Sequence, residues 1–159
     1  IKVSATGARL SKNGNSYSLR PSTANTAVIN VSAKLSSGKT VNSKATFRVK
    51  DIPAAMASAR GQYGVVPMPK ASLSRTPIGA GLPDFVFDLK LKVNSFKVKV
   101  PGQVTVPVQG TVFNARAKKA LAKAKRGDVV TIFDINATIV GNSSYKLKKV
   151  LPVSIQITN

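Results

Sequence analysis

The 159-residue chain has no cysteine, no histidine and no tryptophan, and its five acidic residues are all aspartates. Without cysteine, neither a disulfide framework nor a thiolate metal site can form. Without histidine or glutamate, general acid–base chemistry would fall to Asp51, Asp84, Asp88, Asp128 and Asp134 alone. No apolar run approaches the roughly 18 residues of a membrane helix. The chain opens on strand-like Ile1-Lys2-Val3-Ser4-Ala5, with neither an initiator methionine nor a signal peptide. It is therefore expected to be a piece of a longer protein.

Lysine and arginine are abundant: 25 against five acids, for a net charge of +20. Nine of the basic residues fall in 1–52 and the rest beyond, so the charge belongs to the whole chain and not to a tail. Such a field favours acidic or polyanionic partners and makes binding depend on salt. At 43% hydrophobic residues the chain can build a core, which excludes wholesale disorder.

Residues 1–52 read as short strands between turns, at 1–5, 8–12, 16–20, 26–35 and 40–50. Asn13-Gly14-Asn15 and Ser36-Ser37-Gly38-Lys39 supply the turn chemistry. The pattern predicts an immunoglobulin-like β domain lacking its first strands. From Pro53 to Pro83 five prolines and four glycines mark a boundary and an irregular covering segment, with a helical turn near Ala71–Leu73. A second β-rich domain, 53–159 with that segment included, is then expected, with strands at 85–93, 95–100 and 103–109. A hairpin should pair 129–140 with 145–157 around Gly141-Asn142-Ser143. The fold class expected is thus mainly β, a truncated immunoglobulin-like sandwich followed by a β-rich domain with one short helix.

That helix, at about 115–126, has Asn114 as N-cap and Gly127 as its left-handed terminator. Ala117, Ala120, Leu121 and Ala124 make one narrow apolar stripe. In 85–93 the odd positions Phe85, Phe87, Leu89, Leu91 and Val93 are apolar, while Asp88, Lys90 and Lys92 alternate with them. Period two predicts a strand with one buried face, which assigns Phe85 and Phe87, and with them Phe96, to the core.

Motifs that suggest catalysis fail on context. Ser37-Gly38-Lys39-Thr40 ends like a phosphate-binding loop, but Ala33 stands where that motif needs glycine, and the following residues alternate like a strand. Asp84 and Asp88 share a strand face at about 13 Å in extended chain, beyond the roughly 5–9.5 Å of a glycosidase pair. Ser36-x-x-Lys39 and Ser143-x-x-Lys146 lie in turns, where a lysine stays wet and protonated. The chain is read as no enzyme, with no cofactor and no metal.

Two basic patches remain as candidate partner-binding surfaces: Arg116, Lys119, Lys123 and Arg126 on the helix, and Lys90, Lys92, Lys97 and Lys99 on outward strand positions. Arg116, Lys118 and Lys119 crowd the positive end of the helix dipole, where cations are mildly unfavourable, so the basic face is not there to stabilise the helix. Nucleic acid is disfavoured, because aromatics are few and the alternation turns the phenylalanines inward.

In order along the chain, Phe47-Arg48-Val49-Lys50-Asp51-Ile52-Pro53, Leu82-Pro83-Asp84-Phe85-Val86-Phe87-Asp88-Leu89-Lys90, Asn94-Ser95-Phe96, Leu121–Asp128 and Leu151–Ile157 resemble the C-terminal end of the GldM/PorM family. The Phe-Arg-Val-Lys and Asp-Phe-x-Phe-Asp-Leu-Lys segments are the specific parts. Ala54-Ala55 departs from an expected Asp-Pro, and Val86 from an acidic residue. The resemblance implies a periplasmic, homodimeric fragment of a type IX secretion and gliding protein held in the inner membrane by an N-terminal helix. It further implies an inner-membrane GldL/PorL-type partner in a proton-driven motor, and contacts at the far end with the GldK/GldN (PorK/PorN) ring under the outer membrane. Non-catalytic coupling between motor and ring is the function this implies. The competing expectation is a secreted basic module that binds a polyanion, nucleic acid or anionic glycan.

Overall fold

Period-two sequence dominates the chain, and strands dominate its fold. A computed structural model describes residues 1–22, 25–143 and 145–159, with 51% strand and 8% helix, so the mainly β reading holds. Contacts divide the chain into two units, Ile1–Asp51 and Ile52–Asn159.

In the first unit lie β1 (Lys2–Thr6), β2 (Ala8–Asn13), β3 (Ser16–Pro21), β4 (Thr26–Lys34) and β5 (Thr40–Arg48). All five match the expected strands to within two residues at each end. β1, β4 and β5 form an antiparallel sheet in that order, and β2 pairs with β3 as a separate ribbon. Gly14 closes the β2–β3 turn at φ 58° and Gly38 helps close the β4–β5 turn at φ 84°, a backbone that L side chains resist. Register aligns Val3 with Val31, Ala5 with Ile29, Ile29 with Ala45, Ala27 with Phe47 and Ala33 with Val41. One sheet face is therefore apolar. Yet among the described residues of this unit only Ala27 is buried, and Val41 and Phe47 remain 45% and 51% exposed.

The second unit holds β6 (Met56–Ala59), β7 (Gln62–Tyr63), β8 (Val65–Met68), α1 (Lys70–Leu73), β9 (Ile78–Gly81), β10 (Leu91–Lys99), β11 (Val106–Gln109), α2 (Ala115–Ala122), β12 (Val129–Ile139) and β13 (Val153–Ile157). Five strands make the main sheet in the order β11-β10-β12-β13-β8, antiparallel except that β8 runs parallel to β13. A smaller sheet has the order β7-β6-β9. One core joins Phe96 and Val98 of β10, Ile132 of β12, Ile155 of β13, Leu121 of α2 and the fully buried Ala57 and Ala59 of β6. Phe96 and Phe113 meet at 5.9 Å between ring centroids. Both edge strands of the main sheet carry a proline, Pro67 in β8 and Pro107 in β11. Proline lacks a backbone N–H and is tolerated at an edge, where no further rung is needed.

The segment 53–83 is not the irregular cover expected. It supplies the whole smaller sheet, one edge of the main sheet and, as expected near Ala71–Leu73, the single turn α1. Its prolines stand at the edge and between elements, and Arg60-Gly61, both at positive φ, close a two-residue hairpin from β6 to β7.

The expected strand 85–93 is also corrected. β10 begins only at Leu91, and residues 82–90 are turn and coil. Phe96 is core, as expected, and Phe85 is partly buried, but Phe87 is 69% exposed and Val86 93%. A strand needs a partner ladder. Here β12 ends at Ile139 opposite Leu91, Val140 N–H donates to the Lys90 carbonyl at 2.9 Å, and the chain then turns away. Among the described residues no strand is left for 85–89 to pair with. Phe85 and Phe87 instead stack edge-to-face at 5.6 Å.

Where two strands were expected at 85–93 and 95–100, β10 runs through Asn94-Ser95 by bulging. The register passes from Val93↔Ala137 to Ser95↔Asn136, one extra residue on β10, and then to Lys97↔Phe133, one extra on β12. The first bulge shifts the buried parity from Val93 to Phe96, Val98 and Val100. The terminal hairpin is shorter than expected: Val129–Ile132 pair with β13, but 145–150 are not strand, and Leu151 bridges to β6 instead. Likewise the strand expected at 103–109 is cut to β11.

α2 stops at Ala122, four residues short of expectation. Lys70 Nζ donates to the Ala124 carbonyl at 3.1 Å, and Asp128 Oδ2 accepts from Lys125 N–H at 2.8 Å, so 123–128 is held as a turn. Gly127 is left-handed as expected (φ 90°), but it ends this turn, and its N–H bonds to the Ile157 carbonyl at 2.8 Å. Asn114 is the expected N-cap: its Oδ1 accepts from Ala117 N–H at 2.9 Å, and its Nδ2 donates to the Pro107 carbonyl at 3.0 Å.

Candidate interaction surfaces of the second unit

Lysines alternate with core residues along β10, so the pleat that buries Phe96, Val98 and Val100 turns Lys97 and Lys99 outward. Lys92 is exposed on the same strand, and Lys90 is exposed just before it. Two of these four are already engaged. Lys99 Nζ donates to the Gln103 carbonyl at 2.6 Å, and Lys97 Nζ meets Asp134 Oδ2 at 2.7 Å. The Lys97 hydrogen bond, then its charge, hold the Asp134 carboxyl below the usual carboxylate range, against slight desolvation; Lys149 adds a smaller pull in the same direction.

The helical patch divides. Arg116, Lys119 and Lys123 gather around a hollow of about 280 Å3 that also contains Val104, 80% exposed. Arg126, beyond the end of α2, borders a different hollow of about 230 Å3 with Gln156 and Thr158. α2 brings the first three together because it is one short helix with a buried Ala117, Ala120 and Leu121 stripe.

A third basic surface was not anticipated. The chain from Tyr145 to Val150 walls a hollow of about 600 Å3, whose floor is formed by Ser95, Lys97, Gln109, Asp134 and Asn136. Lys146, Lys148 and Lys149 line it. The run Tyr-Lys-Leu-Lys-Lys was the available signal, but alternation there reads as half of a hairpin.

The catalytic motifs set aside earlier gain nothing from the fold. Asp84 and Asp88 lie in the exposed 82–90 loop, and Ser37-Gly38-Lys39-Thr40 is the turn between β4 and β5 with strand on both sides. Among the described residues no group of three acidic side chains could hold a metal ion. Among the described residues no helix is long and apolar enough to cross a membrane.

What these elements define is a β-rich module whose distinctive features are open, positively charged surfaces. Residues 1–50 match the GldM third domain and residues 44–158 the GldM C-terminal domain, so the chain belongs to the GldM family of gliding-motility and type IX secretion components. No curated protein matches it.

Proposed function

We propose that this chain is a non-catalytic, periplasmic coupling module of the type IX secretion and gliding machinery. It passes motion or force from the inner-membrane proton-driven motor, containing a GldL/PorL-type partner, to the outer-membrane-associated ring of GldK/GldN (PorK/PorN) type. The observation that carries the reading is the match to the family's third and C-terminal domains in that order along almost the whole chain. The contacts are protein–protein contacts made by the second unit, and the protein works as a homodimer. The division at residue 52 follows the family order, an immunoglobulin-like domain and then the C-terminal domain. Further strands completing the first domain would account for its uncovered apolar sheet face.

Arg116, Lys119 and Lys123 are the first docking surface to test. Reversing charge in a Lys119→Glu, Lys123→Glu variant should weaken capture of the ring proteins about tenfold at low salt and leave the fold intact by circular dichroism. Unchanged affinity at low salt would remove this surface from the interface. The net charge of +20 also favours the polyanion reading. Salt-titrated binding to generic DNA separates the two: tight, salt-sensitive DNA binding without ring capture would favour it.

A further inference from the structure

Two features of the second unit share one make-up with opposite charge. The first is the loop 82–90. Val86 and Phe87 stand out in solvent there, and the exposed Asp84 and Asp88 flank them. In a chain of net charge +20 this stretch is locally acidic. Asp128 and Asp134 are bonded elsewhere, to the Lys125 N–H and to Lys97. Asp84 and Asp88 have no ion pair or side-chain hydrogen bond among the described residues. The loop is also shaped: Phe85 N–H donates to the Leu82 carbonyl at 3.1 Å, Leu89 N–H to the Phe87 carbonyl at 3.0 Å, and the Phe85 ring packs on Phe87. Exposed apolar surface rimmed by polar groups marks an interaction site.

The second feature is the hollow of about 280 Å3 beside α2. Val104, Val106 and Ala120 give it an apolar lining, and Arg116, Lys119 and Lys123 surround them. None of these three cations has an ion pair or side-chain hydrogen bond among the described residues, and no acidic residue lines the hollow. Its positive charge is unanswered.

β10 separates the two features. The loop leads into the strand at Leu91, and Gln103 and Val104 of the hollow follow its far end at Lys99. At about 3.3 Å per residue those ends lie roughly 26 Å apart. A loop anchored at one end does not reach a hollow at the other, so a contact between them joins two copies of the chain.

We infer that the second unit binds a second copy of itself, with the 82–90 loop of one copy seated in the α2 hollow of the other. Val86 and Phe87 cover Val104, while Asp84 and Asp88 meet Arg116, Lys119 and Lys123. The contact is heterologous, since it joins two different surfaces of one chain. It goes beyond the coupling reading and gives the α2 surface an occupant that competes there with any ring protein.

The test uses the whole chain and a fluorescein-labelled peptide of residues 82–89, blocked at both ends, read by fluorescence anisotropy. Binding should weaken with salt and fall at least about tenfold in a Lys119→Glu, Lys123→Glu variant, but change less than about twofold in Lys146→Glu, Lys149→Glu. A peptide carrying Val86→Ser and Phe87→Ser should bind at least about tenfold more weakly. One carrying Asp84→Lys and Asp88→Lys should instead prefer the Lys119→Glu, Lys123→Glu chain. Sedimentation reads the same contact between whole chains. The weight-average mass should fall in Asp84→Lys, Asp88→Lys and in Lys119→Glu, Lys123→Glu, and recover when all the reversals are combined in one chain. Unchanged peptide affinity in the α2 variant, equal affinity for the serine peptide, or a mass that the charge reversals leave unchanged would overturn the contact. Capture of the ring proteins is measured in parallel. If they are captured and the peptide does not bind, the contact between copies falls and the coupling reading stands. If the peptide binds through Lys119 and Lys123 and no ring protein is captured, the coupling reading falls alone.

Discussion

Asp134 concentrates several constraints in one residue. It is one of two non-glycine residues with positive φ among those described, it accompanies the second bulge of the β10–β12 ladder, and its carboxylate pairs with Lys97. Its pKa is lowered in the folded chain, chiefly by the Lys97 hydrogen bond. A lowered carboxylate pKa contributes stability above the unfolded-state value and loses it as pH falls through the folded one. Both side chains are about half exposed, so the pair adds little to stability and much more to local geometry. NMR titration of the Asp134 carboxyl should give a midpoint below that of an ordinary aspartate, and Lys97→Ala should move it up. A midpoint that Lys97→Ala does not move would separate the two groups in solution. Sequence could not show this pair, because the bulges that bring Lys97 opposite Phe133 break the simple count of alternate residues.

At the scale of the element, α2 is the segment whose start was most legible. Asn114 both caps it and ties it to β11 through the Pro107 carbonyl. Asn114→Ala should therefore cost about 1.5 kcal/mol, in the upper part of the roughly 0.5–2 kcal/mol usual for a lost cap. Urea unfolding monitored in the full chain measures it, and a change within error would mean that water replaces both bonds. The strands of the first unit were equally legible, since each lies between turn residues that force the chain to reverse. Failure came where alternation was intact but a partner was missing. Phe85 to Leu89 has the pattern of a half-buried strand, yet β12 ends before it; Tyr145 to Lys149 alternates too, yet Leu151 is drawn away to β6. Pattern reports which faces a segment could present, and pairing decides whether it becomes a strand. The 53–83 segment shows the converse. Its prolines and glycines suggested irregular cover, while its small residues, Ala55, Ala57 and Ala59, pack fully buried in β6 and just before it. The candidate surfaces followed the same rule: α2 assembled three of its four predicted cations, and the lysine wall at 146–149 stayed hidden inside a hairpin that does not form.

Across the whole molecule the two units differ in how much they bury. The second has a continuous core drawn from both sheets and α2, whereas in the first only Ala27 is buried among the described residues. Hydrogen exchange follows local stability, and strands with little buried apolar contact open most easily. Amides of β4 should therefore exchange at least about tenfold faster than those of β10 and β12 in the isolated chain. Equal protection would mean that the apolar face of the β1-β4-β5 sheet is covered in solution, as strand completion or self-association would cover it.

Pro67 and Pro107 take on a further meaning wherever copies of the second unit come close together. At each flank of the main sheet a proline withholds the donor that a neighbouring copy would need to continue the ladder. Copies of the second unit should therefore not knit into fibrils through these two edges.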